Sequence, residues 1–405
     1  MSGEAIRVER VGTEPFARMR GEWNDLVAAS AASGPMLTWE WMFSWWEAYE
    51  RHRVTRELAV LLVRDAQSRL LGIAPFVRRP VSCFGVRLRR LEFLGTGEDE
   101  ADETCSEFLD VMADPERNGA VVEALADRLA SDDGWDEIVC RDVRADRPSI
   151  ARDLAEALRR RVSGLDVTEF GHARCPFITL PATWDEYLSR LSGNSRRLVR
   201  AKRRHAVTTG GGQFASAETG ADIRATYPEF KRLHQQRWRA EHRPGCFASG
   251  VFDAFLDKVT ERLAESGGVR IACFRIRGDM AAAYYLLRYG KGLYYYNSGM
   301  DTEKHGEFSP GSVCQGYIIE EAIRAGLAEY HFLKGGARSY KYHWTAETVP
   351  VVSLRIRKTG AKQTWCRMAE GVRRRLSGLR AGAAGRGLRG SPSRVAGDGD
   401  EGKPA

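Results

Sequence analysis

The apolar positions change period along the chain, and the changes predict alternating helices and strands. Trp23 to Ala29 and Thr38 to Tyr49 carry helical spacing, the second with Trp39, Trp41, Trp45 and Trp46. Leu58 to Arg64 and Leu70 to Arg78 are apolar runs separated by Asp65-Ala66-Gln67-Ser68-Arg69, the pattern of an antiparallel hairpin. Leu88 to Leu94 predicts another strand, and Glu98 to Glu103 a solvated acidic loop. Asn118 to Ala130 and Ile150 to Arg161 read as helices on either side of a strand at Glu137 to Arg141.

The second half repeats this order. Phe177 to Leu180 is a short strand, and Thr183 to Leu191 opens a helix. Tyr227 to Arg239 and Phe252 to Ser266 are amphipathic helices. Val269 to Ile276 and Met280 to Arg288 form a hairpin about Arg277-Gly278-Asp279, with Gly292 to Ser298 as a third strand. A helix at Gly311 to Ala325 and a strand at Glu329 to Leu333 follow. The two hairpins hold comparable places in the two halves, which is consistent with an internal duplication. Beyond about Arg380 the chain is Gly, Arg, Ala and Ser, a composition that predicts disorder.

A chain of 405 residues is long for one core, so two domains and a tail are expected. The formal net charge of +8 suggests a nucleic-acid partner until it is located. From Arg355 onward there are 13 Lys/Arg and 4 Asp/Glu, which leaves residues 1–354 near −1. The basic charge therefore belongs to the C-terminal extension. The eight cysteines include no C-x-x-C pair, which argues against zinc and redox motifs and points to small buried thiols in a reducing compartment. No stretch has signal-peptide character or approaches the roughly 18 to 20 apolar residues of a membrane helix, so a cytoplasmic location is expected.

The segment Tyr294 to Trp344 carries the best candidate chemistry. An aromatic strand ends in Asn297-Ser298-Gly299, and a polar loop leads to Ser309-Pro310-Gly311 at a helix start. Backbone N–H groups of Gly311, Ser312 and Val313 there can face an anion, aided by the helix dipole. The plainer alternative is a capped helix start, with Ser309 as the cap and Pro310 in the first position. Asn194 to His205 is the densest basic cluster of the folded part, and on a helix Arg196, Arg200 and Arg203 share a face that suits phosphates or a solvated surface. His234, Arg237 and Trp238 fall within one helical turn, and Tyr340, Lys341 and His343 follow a double-glycine turn. No Ser/His/Asp triad or carboxylate pair is legible.

Taken in order, these segments resemble the CelD/BcsL-type, or BioF-like, GNAT acyltransferase family, which is related to the FemAB peptidoglycan transferases. The resemblance covers roughly residues 175–350 and rests on LSRLSGNSRRLVRAKRRH, GDMAAAYYLLRYGKGLYYYNSGMD, FSPGSVCQGYIIEEAIRAGLAEYHFLKGG, Tyr340-Lys341 and Trp344. The Trp-rich helix and LGIAPFV are similar to the degenerate first unit of such proteins. The resemblance implies an α/β fold of two tandem GNAT-like domains, with mixed, largely antiparallel sheets flanked by helices. The expected boundaries are 1–174, 175–360, and 361–405 for a basic helix and disordered tail.

It also implies acyl transfer from acyl-CoA, acetyl-CoA or longer, to an amine or hydroxyl of a small molecule or cell-envelope polysaccharide precursor, with no metal. Ser309, Pro310 and Gly311 fall on the family's SPG, and Tyr340 and Lys341 on its closing YK. The donor is expected on Ser309, Gly311, Ser312 and Val313, with Arg196 and Arg200 on further phosphates. Tyr296 is the expected proton donor to the leaving thiolate, with Tyr340 and Lys341 also catalytic. Arg237, Trp238 and His305 are expected at the acceptor, and His305, Glu307 and His331 are candidate bases. His331 and Gly336-Ala337-Arg338 stand where the family usually has acidic residues. Two alternatives remain. One is a FemAB-like transferase using aminoacyl-tRNA; the other is a non-catalytic accessory protein of exopolysaccharide or cellulose biosynthesis, partnered with envelope-biosynthesis enzymes.

Overall fold

The computed structural model describes residues 6–336, 339–360, 362, 364–366, 368 and 369. The basic helix and tail expected at 361–405 lie largely outside the described residues, as do Ala337 and Arg338.

The first half opens with β1 (Arg7–Arg10), α1 (Thr13–Arg18), α2 (Arg20–Ala29) and α3 (Trp39–Tyr49). Strands β2 (Glu57–Leu58), β3 (Leu61–Arg64), β4 (Leu70–Ala74), β5 (Phe76–Cys83), β6 (Val86–Phe93) and β7 (Met112–Ala113) follow. Then come α4 (Asn118–Ala130), β8 (Glu137–Arg144), α5 (Ile150–Arg161) and the long β9 (Leu165–Thr179). The second half contains α6 (Trp184–Arg190), α7 (Gly193–Thr208), β10 (Gln213–Ala217), α8 (Gly220–Ala240) and α9 (Gly250–Ala264). It continues through β11 (Val269–Ile276), β12 (Asp279–Tyr289), β13 (Gly292–Met300), α10 (Thr302–His305) and α11 (Pro310–Arg324). Strands β14 (Glu329–His331) and β15 (Thr348–Lys358) end it.

The two halves pair their strands in the same sequence of directions. In the second, β10, β11, β12 and β13 are successively antiparallel, and β13 is parallel to β14 across α11. In the first, β1 is antiparallel to β3, β2 and β3 to β5 and β4, and β5 to β6. Strand β6 is then parallel to β8 across α4. A parallel pair requires such a crossover, and here each is a helix.

The halves are joined by an exchange of strands. Strand β9, which ends the first half, pairs antiparallel with β14 at Phe177–Thr179. Strand β15, which ends the second, pairs antiparallel with β8. The two exchanged strands also pair with each other from Leu165–Lys358 to Pro176–Thr348, giving one 11-stranded sheet. Position 174/175 falls inside β9. A buried ion triad holds the exchange: Glu137 of β8 accepts from Arg357 of β15 (2.9 Å) and from Arg90 of β6 (2.7 Å). Burial alone would raise the Glu137 carboxyl; Arg90 and Arg357 overcome it and hold the group below its ordinary range.

Two expectations need correction. The apolar runs 58–64 and 70–78 are each divided, because the chain leaves strand geometry at Ala59-Val60, where it passes from the large sheet to the small one, and at Pro75, where it returns. The acidic loop 98–103 is not solvated throughout. Asp102 is buried and accepts from Ser249 (2.7 Å), His52 (2.9 Å) and Arg53 (2.6 Å), because the loop is inserted against the second half. The Trp-rich α3 sits beside it. Its indole N–H groups all have acceptors: Trp39 on the Phe16 carbonyl, Trp41 on Ser106, Trp45 on Glu98 and Trp46 on Thr13. Buried indoles need such partners, and Trp41 also meets Phe255 of α9 edge-on at 5.0 Å.

Candidate active site

Strand β13 has nine residues and β14 has three, and their parallel ladder joins only Gly292–Tyr294 to Glu329–His331. Past His331 the chain turns away: the Phe332 amide donates to Pro176 (2.9 Å), and Leu333 adopts a left-handed φ of 58°. Tyr295 to Met300 is therefore left without a strand partner on its outer edge among the described residues. The two strands part into a wedge there, and the Ser298 amide on its β13 wall donates to Asn297 Oδ1 (2.8 Å).

The register across β12 and β13 shifts at the same place. Leu286 faces Tyr295 and Tyr285 faces Asn297, so Tyr296 is the extra residue of a β-bulge. The bulge resets the alternation of faces. Tyr294, Tyr296, Asn297 and Gly299 turn toward the core shared with the first half, and Tyr295, Ser298 and Met300 toward α11. Gly299 is required by close approach, since a Cβ there would lie 2.4 Å from the His234 amide nitrogen of α8.

On the α11 side, Pro310 begins the helix and Ser309 precedes it in a left-handed conformation, φ 49°, without a side-chain hydrogen bond to the helix. The serine therefore does not cap in the ordinary way. Gly311 and Ser312 come first among the N–H donors, and such positions have no intrahelical acceptor. The Val313 amide donates to Ser309 (3.1 Å). Gly311 is pressed against the strand: a Cβ would stand 2.9 Å from Met300 Sδ, and the Tyr284 hydroxyl donates to its carbonyl (3.0 Å). The first turn of α11 contains no acid. Its first-half counterpart, α4, is entered through Asp114-Pro115-Glu116, where negative charge would repel an anion.

A string of hydroxyls lines the wedge. Tyr340 donates to Tyr295 (2.9 Å), whose oxygen shares a hydrogen bond with Ser298 (2.7 Å). Burial keeps the Tyr340 phenol well above its ordinary range. Lys341 is buried, its ammonium donating to the Lys334 carbonyl and lying 5.7 Å from the Tyr295 ring centre, so it closes the turn from 334 to 341. The Lys334 amide donates to both carboxylate oxygens of Glu107 (2.9 and 3.0 Å), which comes from the first half. Burial pushes Glu107 up to about 7 against the pull of Lys334, and Asp142 adds to the rise.

The other expected residues are dispersed. Tyr296 faces away from α11, its hydroxyl donating to the Thr104 carbonyl (2.8 Å) and its ring meeting Trp41 at 5.3 Å. Burial holds that phenol well above 10. His331 stacks on Tyr294 at 4.6 Å and bonds to Glu329 (2.9 Å), with burial lowering its pKa. Glu307 is exposed, and His305 is buried with Nε2 3.7 Å from Asp279. Arg200 pairs with Asp185 (3.3 Å), while Arg196 has no polar side-chain partner among the described residues. Helix α7 meets α11 through Val199 beside Gly316 and through Arg203, which lies over Tyr317 at 3.8 Å and pairs with Glu320.

Arg237 and Trp238 belong to α8, on the opposite face of the sheet from α11. Arg237 pairs with Glu241 (3.3 Å), and the Trp238 indole donates to His234 (2.7 Å), which burial holds down at about 4. Cys246 lies 3.6 Å from the same imidazole and accepts from Asn297 of the bulge (3.3 Å). The helix thus reaches the wedge from behind. Sequence reasoning preferred Tyr296 to Tyr295 and passed over Tyr284, Ser298 and Glu107 as site residues. The run of three tyrosines signalled the strand, but only the bulge decides which face each one takes.

Comparison with known proteins bears on the fold. Residues 193–342 match the family model described as an acetyltransferase (GNAT) domain. No curated protein matches the sequence. Among solved structures, FemX is similar at 11% identity over 89% of this chain and 99% of its own, with a TM-score of 0.55. A conserved Bacteroides thetaiotaomicron protein of unknown function is similar at 12% identity over 87% of this chain and 100% of its own, with a TM-score of 0.50. Likeness at such identity concerns the fold, which is two tandem GNAT-like units with mixed, largely antiparallel sheets flanked by helices. The stretch that matches the family model falls within the second unit.

Proposed function

We propose that the chain transfers an acyl group from acyl-CoA to an amine or hydroxyl, with the second unit as the working one. The observation that carries this reading is the acid-free start of α11 beside the open edge of β13. Gly311 and Ser312 come first among the amides there, and Gly311 lets the helix start lie close against Met300 of β13. Those amides suit the donor's pyrophosphate, and the unpaired edge of β13 suits its thioester carbonyl.

In the transfer the acceptor's lone pair attacks the thioester carbon, the C–S bond breaks, and the thiolate takes a proton that is made good by the one the acceptor's N–H or O–H gives up. The string Tyr340–Tyr295–Ser298 would supply that proton from the α11 side, a role better suited to it than to Tyr296. The acceptor would approach from α8, where Arg237 and Trp238 lie. Positioning and backbone hydrogen bonds would provide most of the rate.

The acceptor class proposed is a small molecule or an envelope-glycan precursor. The aminoacyl-tRNA alternative asks for a broad basic surface, whereas Arg200 and Arg203 of α7 are engaged by Asp185 and Glu320. Calorimetry of the full chain with acetyl-CoA and longer acyl-CoAs tests the reading. Saturable binding of an acyl-CoA supports it, and no binding to any acyl-CoA removes it.

A further inference from the structure

A cavity of about 370 Å³ lies where the end of β9, the α6–α7 connection and residues 342–347 meet. Its buried lining is Ile178, Tyr187, Leu191 and Trp344. Trp344 is an outlier among the buried tryptophans of the described residues. Trp23, Trp39, Trp41, Trp45, Trp46 and Trp135 each donate the indole N–H to an acceptor of the protein. Trp344 is only 5% exposed, yet its N–H has no acceptor among the described residues. The far edge of its ring, Cη2, rests on α11, 3.7 Å from where a Cβ of Gly316 would lie. Its nitrogen is not among the unpaired polar atoms sealed from solvent, so the N–H opens on the cavity that the ring lines. A buried indole without a partner marks a place for an acceptor that the chain itself does not supply.

Much of the remaining wall also donates. Ser192 and Ser195 line the cavity at the start of α7, where Ser192 accepts from the Ser195 amide (3.1 Å). The first bond within the helix runs from the Arg196 amide to the Ser192 carbonyl (2.9 Å). The Gly193 and Asn194 amides therefore have no helical acceptor, and the space beside Gly193 is open. The first turn of this 16-residue helix holds no acid. The half-buried Tyr342 hydroxyl has no hydrogen-bond partner among the described residues either. Arg190 is exposed at the rim and spends only part of its guanidinium on the Thr179 carbonyl (3.0 Å) and Glu186 (2.8 Å). Glu347 is the one carboxylate among the lining residues; it is exposed and accepts from the Thr179 hydroxyl (2.6 Å).

We propose that this cavity binds an organic phosphate, with the phosphoryl group between the start of α7 and the Trp344 indole N–H and the organic part against Tyr187 and Leu191. A wall richer in free donors than in acceptors, at the positive end of a helix, suits a phosphoryl group better than a neutral or cationic one. The site does not depend on the acyl-transfer reading. Nucleoside phosphates and sugar phosphates share this chemistry, and the experiment separates them.

Calorimetry of the full chain with adenosine monophosphate and with glucose-1-phosphate tests the proposal. At least one is expected to bind saturably, and which one does identifies the source of the phosphate. Ser192→Asp keeps a good helix cap and favours the helix dipole, so thermal stability should hold or rise while phosphate binding weakens at least ~10-fold by charge repulsion. Trp344→Phe keeps a ring beside α11, loses the N–H, and should weaken binding by about 10-fold. Binding of neither phosphate overturns the proposal. Binding that Ser192→Asp leaves intact also overturns it, since the phosphate would then sit elsewhere, and it leaves the donor reading at α11 standing. Glucose binding as tightly as glucose-1-phosphate overturns it too, because a neutral ring would then suffice.

Discussion

Replacing Glu107 by glutamine should change the pH dependence of stability by an amount that the structure specifies. An unfolded glutamate ionises near 4.5, whereas burial between Lys334, Cys175 and Asp142 holds Glu107 up to about 7. Each tenfold change in proton affinity is worth ~1.4 kcal/mol, so ionising this group costs the folded chain roughly 3 kcal/mol more than the unfolded one. The carboxyl's folded pKa is raised, so between these values the folded state keeps a proton that the unfolded state has released. Stability from this group is therefore full below about 4.5, falls as pH rises to about 7, and is level above. The substituted amide cannot ionise, and its loss of an acceptor for the Lys334 amide is a fixed offset. Urea unfolding followed by tryptophan fluorescence at pH 5, 6, 7 and 8 should show the wild-type advantage shrinking by roughly 2.5 kcal/mol from the lowest to the highest pH. Glu98 and Asp110, also raised by burial, are present in both proteins and cancel. Parallel curves, with a difference constant to ~0.5 kcal/mol, would refute the buried, proton-holding Glu107.

Four further outcomes follow from the same geometry. Gly311→Val should lower both thermal stability and acyl-CoA binding by calorimetry, since a Cβ there already stands 2.9 Å from Met300 Sδ and the added carbons force the start of α11 away from β13. Tyr295→Phe should reduce transfer in single-turnover assays by about 10²-fold, whereas Tyr296→Phe should mainly lower thermal stability, by about 1 kcal/mol for its bond to Thr104. Equal losses of turnover in the two variants would contradict the assignment of faces. Gly299→Ala should destabilise by about 2 kcal/mol or more in chemical denaturation, because its Cβ would strike the backbone of α8 and not a movable side chain. Arg357→Met leaves Glu137 with Arg90 alone and should cost about 3 kcal/mol, read as earlier urea unfolding of the exchanged strands.

Which parts of this molecule are legible in its sequence depends on how far apart the deciding contacts lie. The helices and hairpins of the second half are set by local periodicity, and β11, β12 and α11 end within a residue or so of where the pattern places them. The start of α11 could be located because Pro310 and Gly311 act on their own neighbours. The exchange of β9 and β15 has no local signature, since each is a strand whose partners lie in the other half of the chain. The bulge at Tyr296 is similarly hidden. Three consecutive tyrosines look equivalent until the register with Tyr285 and Leu286 is known, and one extra residue then decides which phenol faces α11. Glu107 is the furthest case. Sequence reading noted that acids are missing around His331 and Gly336, yet the carboxylate beside that turn comes from position 107, across the seam between the halves. A duplicated fold can supply one unit's wedge from the other unit, so a gap in one unit's motif does not show that the site lacks a carboxylate.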